Sequence, residues 1–146
     1  MGIKIDGTET ARAFKVFTDV MVKSWIDHFT LEINKRRPFT IKFIIYDENE
    51  YAQFTLVEQV NCCGILVSTD TFVTKGLQGN GYAQEMMKLK EALAKEFGYS
   101  LLLATVDINN NPAEVHILEK FGWSRDKEFI NQRTKHTLGI FSKDIK

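Results

Sequence analysis

Between Thr8 and Phe29 the large apolar residues Phe14, Phe17, Met21, Trp25 and Phe29 recur three or four positions apart. That spacing predicts an amphipathic helix, in one piece or two, with Thr8 as its candidate N-cap. Lys35-Arg36-Arg37-Pro38 breaks the pattern. Phe39–Tyr46 and Tyr51–Glu58 are rich in β-branched and aromatic residues and flank a polar Asp47-Glu48-Asn49-Glu50 turn, which predicts an antiparallel hairpin. A third strand follows from about Gly64 to Val73. The helical period then returns behind Lys75-Gly76-Leu77-Gln78-Gly79-Asn80-Gly81: Ala83, Met86, Lys90, Leu93 and Phe97 share one face, with the Lys90 stem lying along it. Gly98 is a natural helix stop. Leu101–Val106 is a continuous apolar run, as expected of a strand covered on both faces. Asn111-Pro112-Ala113-Glu114 opens another helix, with Asn as N-cap and Pro in the first turn, and that helix ends near Phe121-Gly122. Trp123–Ile130 and Thr137–Ser142 close the chain as a hairpin. The order is helix, three antiparallel strands, helix, strand, helix, two strands, which defines an α/β fold with a mixed sheet.

The 146 residues fit a single domain spanning 1–146, and 44% hydrophobic with 26% charged residues is the balance of a globular chain. A disordered tail and a fibre are excluded. The longest apolar run is far short of the ~18 residues of a membrane span. The first ten residues carry no apolar signal core, so a cytoplasmic location and no membrane partner are expected. Nineteen basic and nineteen acidic residues cancel, leaving no global field to draw nucleic acid. Locally, Asp47, Glu48, Glu50, Glu58 and Asp70 are the only charges between Lys42 and Lys75. An acidic middle suits a cationic small partner, and the basic stretch from Lys120 to Lys146 suits a phosphate-bearing one. Cys62 and Cys63 are adjacent, which is poor geometry for a disulfide, and they read as small core residues of a reduced compartment. With no second pair of cysteines, no zinc site is expected.

The glycine-rich turn carries the chemistry. Between a strand and a helix such a turn leaves main-chain N–H groups unpaired at the positive end of the helix dipole, and glycine lets a phosphate approach them. Turns before helices also need glycine for purely structural reasons. A nucleotide-triphosphate loop would require Lys and Ser or Thr after Gly81, where Tyr82-Ala83 stand. A dinucleotide fingerprint begins well with Gly79-Asn80-Gly81 but has Gln84 at its third glycine, and it belongs after the first strand of a parallel sheet. Asp107 would then mimic its ribose-binding acid; this stays as a competing reading.

Gln78-Gly79-Asn80-Gly81-Tyr82-Ala83 also fits the pattern Gln/Arg-x-x-Gly-x-Gly/Ala, and so resembles the acyl-CoA-binding turn of the GNAT superfamily of N-acetyltransferases. The string from Asn111 to Trp123 resembles that family's downstream motif, an Asn opening a helix that ends in Glu-Lys-x-Gly-aromatic. Its details are closest to the branch that acetylates ribosomal-protein and other protein N-termini. The resemblance covers about Gly64 to Trp123. It implies a mostly antiparallel mixed sheet with helices on both faces and a splayed parallel strand pair. It implies acetyl-CoA as co-substrate, held by Phe72, Val73, Gln78, Gly79, Asn80, Gly81, Tyr82, Ala83 and Asn111. The implied reaction is attack of an uncharged amine on the thioester carbonyl, with the amine on a protein N-terminus, a lysine or a small molecule, catalysed by a monomer or homodimer.

The implied chemistry needs a proton acceptor for the amine and an acid for the departing thiolate. Asp70 and Asp107 are the candidate bases, and Glu48 and Glu50 are candidates for the rim of the acceptor mouth. Many members of the family place a tyrosine acid where this chain has Leu118, which donates no proton. Glu114, one turn earlier on the same face, is the candidate substitute, although an ordinary acid of a helix N-terminus accounts for it better. His116 lies about 200° around the helix from Leu118 and faces elsewhere. The loss of the tyrosine keeps a second reading open, a catalytically inactive acyl-CoA-binding module.

Overall fold

The computed structural model describes residues 2–3, 8–20 and 28–146. Its elements are β1 (Gly2–Ile3), α1 (Thr8–Val20), β2 (Phe29–Asn34), β3 (Thr40–Asp47), β4 (Glu50–Glu58), β5 (Ile65–Val73), α2 (Tyr82–Glu96), β6 (Leu101–Asp107), α3 (Pro112–Lys120), β7 (Ser124–Ile130) and β8 (Thr137–Asp144), with a short 3-10 turn at Lys75–Leu77 before α2. All eight strands form one sheet in the order β1-β2-β3-β4-β5-β6-β8-β7. Two pairs are parallel, β1 with β2 and β5 with β6, and the rest are antiparallel. The expected mixed, mostly antiparallel sheet is therefore present, and so are both hairpins, β3–β4 and β7–β8.

The first apolar stripe divides differently from expectation. Phe14 and Phe17 lie on α1, Met21 and Trp25 fall outside the described residues, and Phe29 opens strand β2 opposite Ile45. Residues 29–34 alternate inward and outward, burying Phe29, Leu31 and Ile33, and that period of two hid behind the helical spacing of the larger stripe. The aromatic rings still meet. Phe17 stacks on Phe29 at 4.2 Å between centroids, Phe43 lies 5.5 Å from Phe17, and Phe54 lies 5.3 Å from Phe43. These rings, with Leu56, Leu66, Met86, Leu89, Leu102 and Phe141, form the core between the sheet and the packed helices α1 and α2.

Two further expectations are corrected. The Leu101–Val106 run is not covered on both faces: Leu102, Ala104 and Val106 are buried, whereas Thr105 is exposed. Its apolar residues on the second face are only half-buried, as an open sheet face allows. Cys62 and Cys63 are not core residues either. Both are exposed in the turn between β4 and β5, where no strand exists to carry them inward.

On β8, Gly139 pairs with Val106, and a Cβ added there would stand 2.9 Å from both Ile108 Cδ1 and Phe141 Cε1. The space belongs to those two side chains. Gly139→Ala is expected to destabilise the fold by about 1–3 kcal/mol through overpacking, read as a lower denaturant midpoint at unchanged slope.

Candidate functional site

The site begins where two parallel strands part. β5 and β6 pair from Ile65 opposite Leu101 to Ser68 opposite Ala104 and no further, although β5 runs on to Val73 and β6 to Asp107. A bulge explains the separation. Between the pairs Thr55–Thr69 and Gln53–Phe72, β5 holds one residue more than β4. Asp70 takes up the excess at φ 53°, and its carbonyl accepts a hydrogen bond from Gln53 Nε2 at 3.1 Å. A bulge bends and twists its strand, here drawing the end of β5 away from β6. The wedge left behind is a cleft of about 240 Å³ lined by Val67–Thr71 of β5, Thr105 of β6 and Glu114 of α3. Because the Thr74 N–H is spent on Tyr51 of β4, alternation along the strand turns the main-chain groups of Val73 the other way, toward the gap.

The glycine turn stands at the end of β5 and is braced from several sides. Gln78 Nε2 donates to Val73 O at 3.1 Å, Asn80 Nδ2 donates to Leu77 O at 3.2 Å, and the side chains of Leu77 and Tyr82 are buried. Glu50 reaches across from β4 to accept the Gly76 N–H at 3.0 Å, so it holds the turn. Gly79 and Gly81 adopt φ 83° and 84°, a conformation that L side chains rarely take, and a Cβ at either would meet no protein atom within 4 Å. The Gln78 N–H is engaged by Lys75 O, whereas among the described residues the N–H groups of Gly79, Asn80 and Gly81 have no acceptor. Open space, unengaged donors and the N-terminus of the 15-residue helix α2 coincide there. The turn fits a diphosphate.

The other predicted coenzyme residues divide into two groups. Phe72 is exposed beside Tyr51, with ring centroids 5.9 Å apart. Asn111 is exposed, and its side chain makes no cap bond to the helix it precedes. Tyr82 is 9% exposed and packs into the core; Ala83 is half-buried behind it.

Polar groups gather in the cleft, behind it and at the far end of β6. Glu114 lines it, and burial pushes its carboxyl above the ordinary value against the opposing charge of Lys90. Lys90 was assigned only a packing role from sequence, yet its head group is buried with the rest of it at 2% exposure. Its Nζ donates to Thr71 Oγ1 at 2.8 Å and lies 5.4 Å from the Phe54 ring centroid. Burial lowers its pKa from 10.5 to about 8, with Glu114 opposing the shift. Thr71 Oγ1 is in turn 3.4 Å from Ser68 Oγ, on the last paired residue before the strands part. At the far end of β6, Asp107 Oδ2 is 2.6 Å from His136 Nδ1, and Asn110 donates to both Asp107 oxygens from its main chain and its amide. Desolvation pushes the Asp107 carboxyl up, but the bonds from Asn110 and His136 outweigh it and hold the group below the ordinary range.

Leu118 is buried and supplies no polar atom, and His116 is exposed, as its helical angle implied. The acidic middle of the chain does not gather into one surface. Asp47 lies near Tyr82, Glu50 holds the turn, Glu58 is buried at the other end of β4 beneath the Tyr99 hydroxyl, and only Asp70 lines the cleft. The polar contacts of Lys90 and His136 are not among the features that the sequence predicts. For Lys90 a signal existed, a lysine on the buried stripe of a helix between Met86 and Leu93. For His136, 29 positions from its partner, there was none.

With this geometry in view, the comparisons with known proteins are informative. The model of the acetyltransferase (GNAT) family matches residues 12–123, and the chain belongs to that family. A search of curated proteins by sequence gave no match. Among solved structures, the ribosomal-protein-S18-alanine N-acetyltransferase of Escherichia coli superposes with a TM-score of 0.60 at 14% identity, over 90% of this chain and 76% of that one. The spermidine/spermine N-acetyltransferase SpeG of Vibrio cholerae gives 0.63 at 13% identity, over 75% and 67%. The Salmonella typhimurium protein yncA, solved with its cofactor acetyl-CoA, gives 0.62 at 10% identity, over 73% and 65%. At such identities the likeness establishes the fold. Acetyl-CoA is the co-substrate of the family, and the open turn and cleft fit it.

The buried lysine makes a prediction about stability. Between about pH 8 and 10.5 the unfolded chain holds a proton that folded Lys90 has lost, so this residue makes stability rise with pH across that window. Below pH 8 the full cost of burying the charge applies. Lys90→Met is therefore expected to raise the melting temperature below pH 8, with a margin over the parent that shrinks as pH climbs toward 10.5. Thermal denaturation of both proteins across that range checks it, and a margin that grows with pH contradicts it.

Proposed function

We propose that the chain is an acetyl-CoA-dependent N-acetyltransferase that moves the acetyl group to a primary amine. One observation carries the reading: the unengaged N–H groups of Gly79, Asn80 and Gly81 stand at the end of the strand whose departure from β6 opens the cleft. A diphosphate held at the turn leaves a pantetheine arm to run along Val73 into the wedge, which ends at Ser68, Thr71 and Glu114. Asn111 is placed with its side chain uncommitted to add a contact. The bound coenzyme supplies an activated acetyl group as a thioester; the rest falls to the protein.

The Asp107–His136 pair takes the ammonium proton, directly or through water, because Asp107 stays anionic and fixes the imidazole that faces it. Asp70, exposed at the bulge, borders the acceptor's approach. Glu114, whose carboxyl burial pushes up, lines the same end of the cleft. The acceptor class is an amine on a protein N-terminus, a lysine or a small molecule. The names of the neighbours support both the protein and the polyamine kinds. A reducing, cytoplasmic setting belongs to this reading.

Gly81→Val is expected to weaken acetyl-CoA binding at least tenfold, about 1.4 kcal/mol, since a branched side chain at φ 84° fills the space kept open for the ligand. Calorimetric titration with acetyl-CoA and with NAD tests this, and tight NAD binding instead would restore the dinucleotide reading. Release of free thiol from acetyl-CoA with a panel of amines and peptides separates an enzyme from a binding module. Asp107→Asn is expected to lower kcat about 100-fold while leaving the acetyl-CoA Kd within twofold. Unchanged turnover in that variant removes the base assignment.

A further inference from the structure

The cleft contains polar groups that neither the coenzyme grip nor the amine chemistry uses. Lys90 projects from α2 through the core, and its Nζ ends on Thr71 Oγ1 at 2.8 Å, with Ser68 Oγ 3.4 Å beyond. Ser68 and Thr71 both line the cleft, whereas Lys90 is sealed behind them. The direction of donation is set by chemistry. An ammonium only donates, so Thr71 accepts from Lys90 and its own hydroxyl proton points onward, to Ser68 or into the cleft. Burying an ammonium in an apolar core is costly whatever its role, and a strongly perturbed group beside a cleft is where function concentrates.

We infer that Lys90, Thr71 and Ser68 form a proton relay that serves the sulfur of the thioester substrate, in the place that Leu118 leaves without an acid. The inference rests on the acetyl-transfer reading above. In the step it serves, the amine nitrogen forms a bond to the carbonyl carbon, the carbon–sulfur bond breaks, and the electron pair leaves on sulfur. Thr71 passes its hydroxyl proton to that sulfur, directly or by way of Ser68, and takes one from the Lys90 ammonium. Neutral Lys90 is recharged from water once the product leaves. The proton lost by the amine goes separately to Asp107–His136. Lys90 acts through Thr71 and is a positioning residue; Thr71 and Ser68 are the groups that meet the ligand. Among the described residues the groups facing Lys90 are Thr71 on β5, the Phe54 ring on β4 and the Glu114 carboxyl on α3, and of these Glu114 opposes the effect of burial on it.

The test uses free coenzyme A as well as turnover. Ultraviolet absorbance of the bound thiolate, followed against pH, is expected to place ionisation of the bound thiol at least one pH unit lower in the parent than in Lys90→Met, because the ammonium favours the anion. A relay also predicts that Lys90→Met and Thr71→Val each lower kcat at least tenfold with the acetyl-CoA Kd within twofold. The double variant should be no worse than either single one, and Thr71→Ser should restore turnover. Bound thiol that ionises at the same pH in parent and Lys90→Met overturns the relay, and so does parental turnover in Thr71→Val. If the parent binds coenzyme A but releases no thiol with any amine, the transferase reading fails while the thiol titration still decides the relay.

Discussion

Two parallel strands that start as neighbours and then diverge must leave main-chain N–H and C=O groups facing a gap, and buried groups of that kind demand partners. In this sheet the extra residue at Asp70 forces the divergence. Everything functional lies downstream of it. The bulge bends the end of β5, the chain then turns at Lys75–Leu77, and the unengaged N–H groups of Gly79, Asn80 and Gly81 follow directly before α2. Unpaired strand edges and unpaired turn donors are thus one continuous surface of unmet hydrogen-bonding capacity. A long ligand with a diphosphate at one end and amide groups along its arm matches that surface in kind.

The same dependence explains which parts of the molecule were legible beforehand. Features specified by local backbone requirements could be read directly: Gly79 and Gly81 at positive φ, Pro112 opening α3, the polar two-residue tip between β3 and β4. Features that exist only through pairing could not. Residues 29–34 become a strand because β3 accepts them, and Phe29 sits at a helical distance from Trp25 as readily as at a strand position opposite Ile45. The bulge is a mismatch between β4 and β5, invisible in either segment alone. Charge along the chain misled in a related way. Five carboxylates close in sequence suggested a cationic small partner, yet Glu50 and Glu58 stand at opposite ends of β4.

Legibility also failed where one residue type admits two placements. A lysine on an apolar helix face ordinarily lets its stem cover neighbours while its head reaches water. Lys90 instead meets Thr71 inside, since α2 lies flat on the sheet and offers the head group no route out. The exposed cysteines are the converse, small apolar side chains left outside because their segment is a turn.

Lys90 and Glu114 oppose each other's shifts, and burial displaces each toward its neutral form. An ordinary surface pair would hold both charges and do little with them. Inside the cleft burial, rather than water, sets the balance between the two. Leu118, on the same face of α3 one turn beyond Glu114, is buried and offers neither group a polar partner. With an aliphatic residue at that position, the polar groups in and behind the cleft come from β5 (Ser68, Thr71), α2 (Lys90) and the start of α3 (Glu114).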